Sequence, residues 1–361
     1  MLELLALAAI AQAAPATPVA APVAAVGKIW PTQEGDVLLK DFRFQSSETL
    51  PELRIHYTTL GQPHRNAAGE IDNAVMVLHG TGGTGQQFLR PQFADELYGP
   101  SQPLDIRKYW IILPDNIGHG KSSKPSDGLK MHFPKYDYAD MVEAQHAMLQ
   151  RLGITQMRLI MGTSMGCMHS FLWGEMYPTF ARALMPLACE PIEIAGLNRM
   201  WRQMLIDAIE ADPAWNGGNY TSEPTQALRT AESILVIAGG APLYLQAQYP
   251  TREKATAYVR QTVTNGIKGL DANDMIYQFD SSRNYNPWPG LEKITAPLMW
   301  VNSADDFINP RNLPIPEQAV KRMTNARFRL IPESAETHGH GTHTWANFWK
   351  ADLIELLKRS E

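Results

Sequence analysis

The chain makes one corner that little but a single geometry can satisfy. The apolar run Met157, Arg158, Leu159, Ile160 and Met161 leads into Gly162-Thr163-Ser164-Met165-Gly166, and a helix-like segment follows directly. A strand that passes into a helix so tightly needs glycines where a Cβ would clash, and it leaves the central side chain standing clear of the backbone. Ser164 occupies that apex. The amides opening the next helix point toward any negative charge that develops beside it, so Ser164 is the candidate nucleophile and the N–H of Met165 a candidate oxyanion donor. Five residues of this kind recur by chance; the strand before and the helix after give them weight.

Strand and helix patterns alternate from Asp36 onward. Expected strands are Val37–Phe44, Leu53–Leu60, Asn73–His79, Tyr109–Pro114, Met157–Thr163, Ala183–Cys189, Pro297–Asn302 and Phe328–Ile331. The first two have no helix between them and predict an antiparallel start; the later apolar runs read as buried parallel strands. The fold class is therefore α/β, with a mostly parallel eight-stranded sheet flanked by helices. Between Asp137 and Leu152, the residues Tyr138, Met141, Val142, Met148, Leu149 and Leu152 share one helical face, with Asp137 as N-cap and Gly153 as terminator. From about Pro191 to Trp288 the rhythm breaks into helix-like segments, among them Arg199–Glu210 and Thr251–Asn265, with no strand until Pro297. That stretch reads as an inserted helical cap over the strand ends that hold Ser164. The predicted organisation is a signal-like segment and linker over 1–26, a core over 27–190 and 291–361, and a cap over 191–290.

Composition excludes several classes. The 361 residues are 44% hydrophobic, enough for a large core, and 32 basic against 37 acidic residues give a net charge of −5 with no basic stripe to follow a phosphate backbone. Nucleic acid is not an expected partner. Leu2–Ala14 is a short apolar stretch ending in small residues, followed by an Ala/Pro/Val tether, which predicts export to the periplasm or the extracellular space, a cytoplasmic extension being the alternative. No other segment has membrane-spanning length. Cys167 and Cys189 make neither a disulfide framework nor a zinc spacing; they read as buried free thiols, with a single disulfide as the alternative.

A nucleophile at such a corner needs an acid and then a histidine further along the chain, each at a strand end. After Pro297–Val301 come Asn302, Ser303, Ala304, Asp305 and Asp306. Asp306 is the chosen acid, four residues before Pro310, with Asp305 the competitor. After the last strand, His338, His340 and His343 crowd one loop. His340 lies between Gly339 and Gly341 and precedes the terminal helix expected over Trp345–Lys358, which His343 is expected to begin; the spacing also permits a metal-ligand reading. Leu78-His79-Gly80-Thr81-Gly82-Gly83 follows a strand and offers the N–H of Thr81 as second oxyanion donor. The Gly-rich turn lacks the Lys-Ser/Thr of a phosphate loop, and His79 reads as structural. No cofactor and no metal are expected.

The residues Tyr57-Thr58-Thr59-Leu60-Gly61, Asn73-Ala74-Val75, Asp115-Asn116-Ile117-Gly118 with Gly120, Ser122 and Pro125, Phe133-Pro134, Asp140, Val142 and Ala144-Gln145 occur in order with Leu152-Gly153-Ile154 and Ser164-Met165-Gly166. Ala208-Ile209, Asp212-Pro213-Ala214-Trp215, Gly218 and Tyr220 continue the series in the cap. From about Leu53 to the C-terminus the chain resembles the homoserine O-acetyltransferase branch of the α/β-hydrolase superfamily. The resemblance implies a Ser/Asp/His triad, a covalent ping-pong mechanism and a helical lid, which map onto Ser164, Asp306, His340 and the insertion.

Two departures bear on the acceptor. That family usually carries an aspartate after the histidine and an arginine six positions before the acid equivalent to Asp212; here Gly341 and Ile206 stand there. Without charged partners an amino-acid zwitterion is poorly held in a closed pocket. Export would also separate the protein from acyl-CoA. Both points favour water, and so a hydrolase of carboxylic esters working through an acyl-serine. O-acyl transfer to an alcohol is the alternative, and a non-catalytic ligand-binding protein the second. Trp201, Trp215, Tyr244 and Tyr249 are candidate apolar walls. The expected partner is a small-molecule ester or acyl substrate, and a homodimer is left open.

Overall fold

All eight predicted strands form: β1 (Gln33–Arg43), β2 (Thr49–Leu60), β3 (Ala74–Leu78), β4 (Trp110–Pro114), β5 (Leu159–Thr163), β6 (Leu184–Leu187), β7 (Leu298–Ser303) and β8 (Ala326–Ile331). The computed structural model describes residues 28–361, so the signal-like segment expected over 1–26 lies outside the described residues. The strands make one sheet in the order β1-β2-β4-β3-β5-β6-β7-β8. β2 runs antiparallel to both β1 and β4, and every other pair is parallel.

Burial follows position in the sheet. β3 and β5, at the centre, are buried at every residue, whereas edge strand β1 is mostly exposed. Alternate residues of β3 feed two different cores: Met76 and Leu78 face a layer built with helices α2 (Tyr138–Arg151) and α3 (Met165–Met176), while Val75 and Val77 face Phe93 and Leu353 of helix α1 (Pro91–Leu97) and of the terminal helix (Lys350–Arg359). The helix expected from Asp137 forms. The Asp137 carboxylate accepts from the Asp140 N–H at 3.2 Å, the Asp140 carboxylate accepts from the Asp137 N–H at 2.9 Å, and Gly153 leaves the helix at φ +76°.

Strand order reverses at β3, with β4 on one side and β5 on the other. Loops leaving the C-terminal ends of β3 and β5 therefore open side by side, the usual place for a ligand crevice in such sheets. Register puts Leu78 beside Gly162, so the His79–Gly83 loop and Ser164 emerge together.

Between β6 and β7 lie α4 (Gly196–Glu210), α5 (Thr225–Ala238), α6 (Pro242–Gln248), α7 (Arg252–Gly266) and α8 (Ala272–Asp280), of which α4, α5 and α8 share a separate core around Leu205, Ile209, Leu228, Ala231 and Phe279. Among the described residues no helix is long and apolar enough to cross a membrane.

Two expectations need correction. Cys167 and Cys189 are not free thiols but a disulfide, with Cα atoms 5.8 Å apart. Their 22-residue separation conceals a βαβ crossover that brings the end of β6 back beside the first turn of α3. The terminal helix begins at Lys350, not Trp345, because the chain spends Gly339–Thr344 and Ala346–Phe348 in two short 3₁₀ turns; His343 lies in the first of them.

Candidate active site

Ser164 sits at φ +55°, ψ −112°, a strained conformation for a residue with a Cβ, costing on the order of 1–3 kcal/mol. Its surroundings leave it no alternative. The Ser164 N–H donates to the carbonyl of Leu187 at 2.8 Å. A Cβ at Gly162 would run into the carbonyl of Gly166, and one at Gly166 into that of Leu78, so both flanking glycines are required by close backbone approach. Met165 is the first residue of α3, and its N–H has no intrahelical acceptor.

The other two residues arrive from the ends of β7 and β8. His340 Nε2 lies 2.8 Å from Ser164 Oγ, and His340 Nδ1 lies 2.8 Å from Asp306 Oδ2. With Nδ1–H donating to the carboxylate, Nε2 is left to accept the serine proton; this tautomer is assigned from the hydrogen-bond pattern. Asp306 is buried and takes further bonds from the N–H groups of Ile308 (2.8 Å) and Asn309 (3.3 Å) and from the Asn309 amide (2.8 Å). Burial pushes its pKa up, but the adjacent His340 imidazole and these donors outweigh burial and hold it below the ordinary value.

Asp305, the competing acid, holds the histidine loop instead. Its carboxylate accepts from Ser303 Oγ (2.5 Å), Thr337 Oγ1 (2.8 Å) and the N–H of Gly339 (3.0 Å). The adjacent aspartates thus divide two tasks. Of the glycines beside His340, only Gly339 is at positive φ (+58°); a Cβ at Gly341 would meet nothing nearer than His338 Cβ at 3.6 Å. The three imidazoles go to three surroundings. His338 stacks on Trp345 at 4.2 Å with Tyr244 edge-on at 4.5 Å, and the ring of His343 stands edge-on to His340 at 5.0 Å, its pKa pushed down to about 3 by burial. Among the described residues no three His, Cys, Asp or Glu side chains converge as metal ligands.

The loop after β3 passes directly against Ser164: a Cβ at Gly80 would lie 3.2 Å from that of the serine. Thr81 follows, then Gly82 at φ +71° and a turn closed by the Gly83 N–H donating to the Gly80 carbonyl at 3.0 Å. His79 stabilises this turn. Its Nδ1 bonds the Gly80 carbonyl at 2.8 Å, and its Nε2 accepts from the Asn116 N–H at 3.0 Å. Asn116 is bonded to Gln145, which takes the indole N–H of Trp173 at 2.7 Å. This buried polar network behind the elbow accounts for two residues that stood in the sequence only as resemblance, Asn116 and Gln145. Asp115 likewise accepts from the Gly85 N–H, His56 Nδ1 and the Lys121 N–H, while a Cβ at Gly120 would run into its carboxylate.

Of the four aromatic residues expected as walls, Trp201 packs on Phe279 inside the cap and Trp215 donates to Asn273 at 2.8 Å. Tyr249 lines a groove of about 860 Å³ between α5–α7 and the loop after β7, which Asp305, Asp306 and Phe307 also line and whose lining includes no residue of the elbow helix. Residues missed from sequence include Asn309, which fixes the acid, and Glu190. The latter's Oε1 accepts from Asn302 at 3.0 Å while its Oε2 is sealed from solvent without a partner.

The alpha/beta hydrolase fold family matches residues 73–337. The homoserine O-acetyltransferase of Solidesulfovibrio magneticus is 34% identical over 334 residues, covering 88% of this chain and 80% of that protein. The homoserine O-acetyltransferase of Moorella thermoacetica is 36% identical over 214 residues; there the chain spans only about half of the relative's length, 55%. Among solved structures, homoserine O-acetyltransferase from Bacillus anthracis superposes with a TM-score of 0.81 at 19% identity, covering 92% of this chain and 99% of that one. An acetylester hydrolase from Corynebacterium glutamicum does so with 0.79 at 20% identity, covering 90% and 96%. The chain belongs to the alpha/beta hydrolase fold family, in its homoserine O-acetyltransferase-like branch.

Proposed function

We propose that the protein is an esterase-like serine hydrolase of this branch. The observation that carries the reading is the continuous relay from Asp306 through His340 to Ser164, with both links at 2.8 Å. Ser164 Oγ attacks the ester carbonyl carbon while His340 Nε2 takes its proton and Asp306 stabilises the imidazolium; the N–H groups of Thr81 and Met165 hold the oxyanion. Collapse of the tetrahedral intermediate breaks the ester C–O bond. The alcohol leaves with the proton from His340, and water, deprotonated by His340, then resolves the acyl-serine.

Water is favoured as acceptor because position 341 bears no carboxylate although a Cβ there would meet no clash, and position 206 is isoleucine. One observation favours transfer to an alcohol. Arg202 lies one helical turn before Ile206, is buried, and leaves Nη1 without a partner, so a guanidinium remains on that helix face. What supports export is the disulfide, since such bonds persist in oxidising compartments. An ester panel assayed with and without acetyl-CoA plus homoserine tests the acceptor. Acid release independent of both is expected; turnover only in their presence overturns the hydrolase reading in favour of transfer.

A further inference from the structure

A cavity of about 370 Å³ lies between the β6–α4 connection and the loop carrying Asp306. Its walls belong to the nucleophile helix on one side, with Met168 one turn beyond Ser164, and to the loop of the acid on the other, with Asn309. Met168 donates its N–H to the Ser164 carbonyl at 3.1 Å, and Asn309 donates to the Asp306 carboxylate at 2.8 Å. Ile194, Leu197, Ile308 and Leu313 make most of the remaining surface apolar. We propose that this cavity receives the acyl chain of the substrate, an uncharged aliphatic group longer than acetyl, and turns away acyl groups ending in a carboxylate. This deepens the acyl-serine reading above and rests on it.

An acyl-enzyme keeps its acyl chain tethered to Ser164 while the alcohol departs, so the chain needs an apolar recess beside the nucleophile helix. The 370 Å³ cavity has that placement through Met168; the 860 Å³ groove reaches Asp305 and Asp306 on the acid side but has no elbow-helix residue in its lining. Charge selection follows from the lining. It contains Glu190 and Glu193 and no lysine or arginine. Glu190 acts as an internal probe of the electrostatics: burial, reinforced by the negative charge of Asp306, pushes its carboxyl up to about 9. A second carboxylate brought in by a substrate would meet the same missing solvent and the same neighbour.

The test uses p-nitrophenyl alkylphosphonates, which need only the nucleophile and the acyl recess, whether water or an alcohol is the natural acceptor. Ser164 Oγ forms a bond to phosphorus, nitrophenolate leaves, and His340 keeps the serine proton. Labelling rates of the intact protein with methyl, propyl and pentyl phosphonates should rise by roughly two- to fourfold per methylene, as burial of each CH₂ predicts. A propyl chain ending in a carboxylate should react at least roughly tenfold more slowly than its uncharged counterpart. Ile194→Trp or Leu197→Trp, each checked for folding by circular dichroism, should lower the pentyl-to-methyl ratio by roughly tenfold. Rates flat or falling with chain length in the unmodified protein, or indifferent to the terminal carboxylate, overturn the proposal while leaving the nucleophile intact. Failure of every phosphonate to label Ser164 instead overturns the acyl-serine reading, and this inference with it.

Discussion

The sheet and the cap are held by different physics. Around Ser164 close backbone approach sets the frame: Gly162 and Gly166 admit no side chain, the Ser164 N–H is bonded to Leu187, and the carboxylates of Asp306 and Asp305 then fix the imidazole and its loop separately. The cap instead rests on the core through side chains, most of them on or just after α8. Asp274 accepts from Ser126 N–H and Oγ at 2.9 and 2.6 Å, Tyr277 donates to the Phe133 carbonyl at 2.5 Å, and Gln278 donates to the Gly118 carbonyl at 2.7 Å. Further out, Met200, Met204, Ile237 and Leu243 are exposed. The relay of the proposed reaction is thus placed on strand ends fixed by close backbone approach, and the helices over it are fastened by replaceable side-chain contacts.

Substitutions in the core should therefore remove turnover, and those in the cap should redistribute it. Asp306→Asn should cut kcat by roughly a thousandfold or more by removing the charge that orients His340. Asp305→Asn, which loosens only the loop, should cost about tenfold with a lower melting temperature; equal losses in the two variants would erase the division of labour drawn between them. Reduction, or the pair Cys167→Ser and Cys189→Ser, removes a cross-link between the elbow helix and the exit into the cap, at a cost of roughly 3 kcal/mol in denaturant unfolding for a loop of this length.

Glu190→Gln sharpens the boundary between core and cap. The folded chain holds this carboxyl's proton up to about 9, against an ordinary value of 4.5, so the unfolded chain gives it up first and stability falls as pH rises across that window. The glutamine variant should gain on the order of 1–2 kcal/mol at pH 8 and nothing at pH 4, read from urea unfolding at the two pH values. Asp274→Ala should cost about 1 kcal/mol and show itself mainly in KM, because it loosens α8 without touching the relay.

Much of this arrangement was legible in the residues themselves. Buried parallel strands announce themselves as short apolar runs, and a glycine-flanked serine between strand and helix fits few geometries besides a nucleophile elbow. The choice between Asp305 and Asp306, and among His338, His340 and His343, rested on loop spacing, and the structure joins the expected members. What spacing cannot carry is contact between distant segments. Nothing near Cys167 reveals that β6 returns beside it, and nothing near Glu190 reveals that its carboxyl is sealed against Asn302. The terminal helix starts later than its apolar pattern does, because Trp345 and Phe348 continue that period through 3₁₀ turns whose hydrogen bonds close differently.

The central claim is that Ser164 becomes acylated. Protein quenched during turnover of an aryl ester, digested and weighed by mass spectrometry, should carry the acyl group on the peptide containing Ser164, and Ser164→Ala should show neither adduct nor activity above the uncatalysed rate. Full ester cleavage by Ser164→Ala, or an adduct on another residue, would contradict the account.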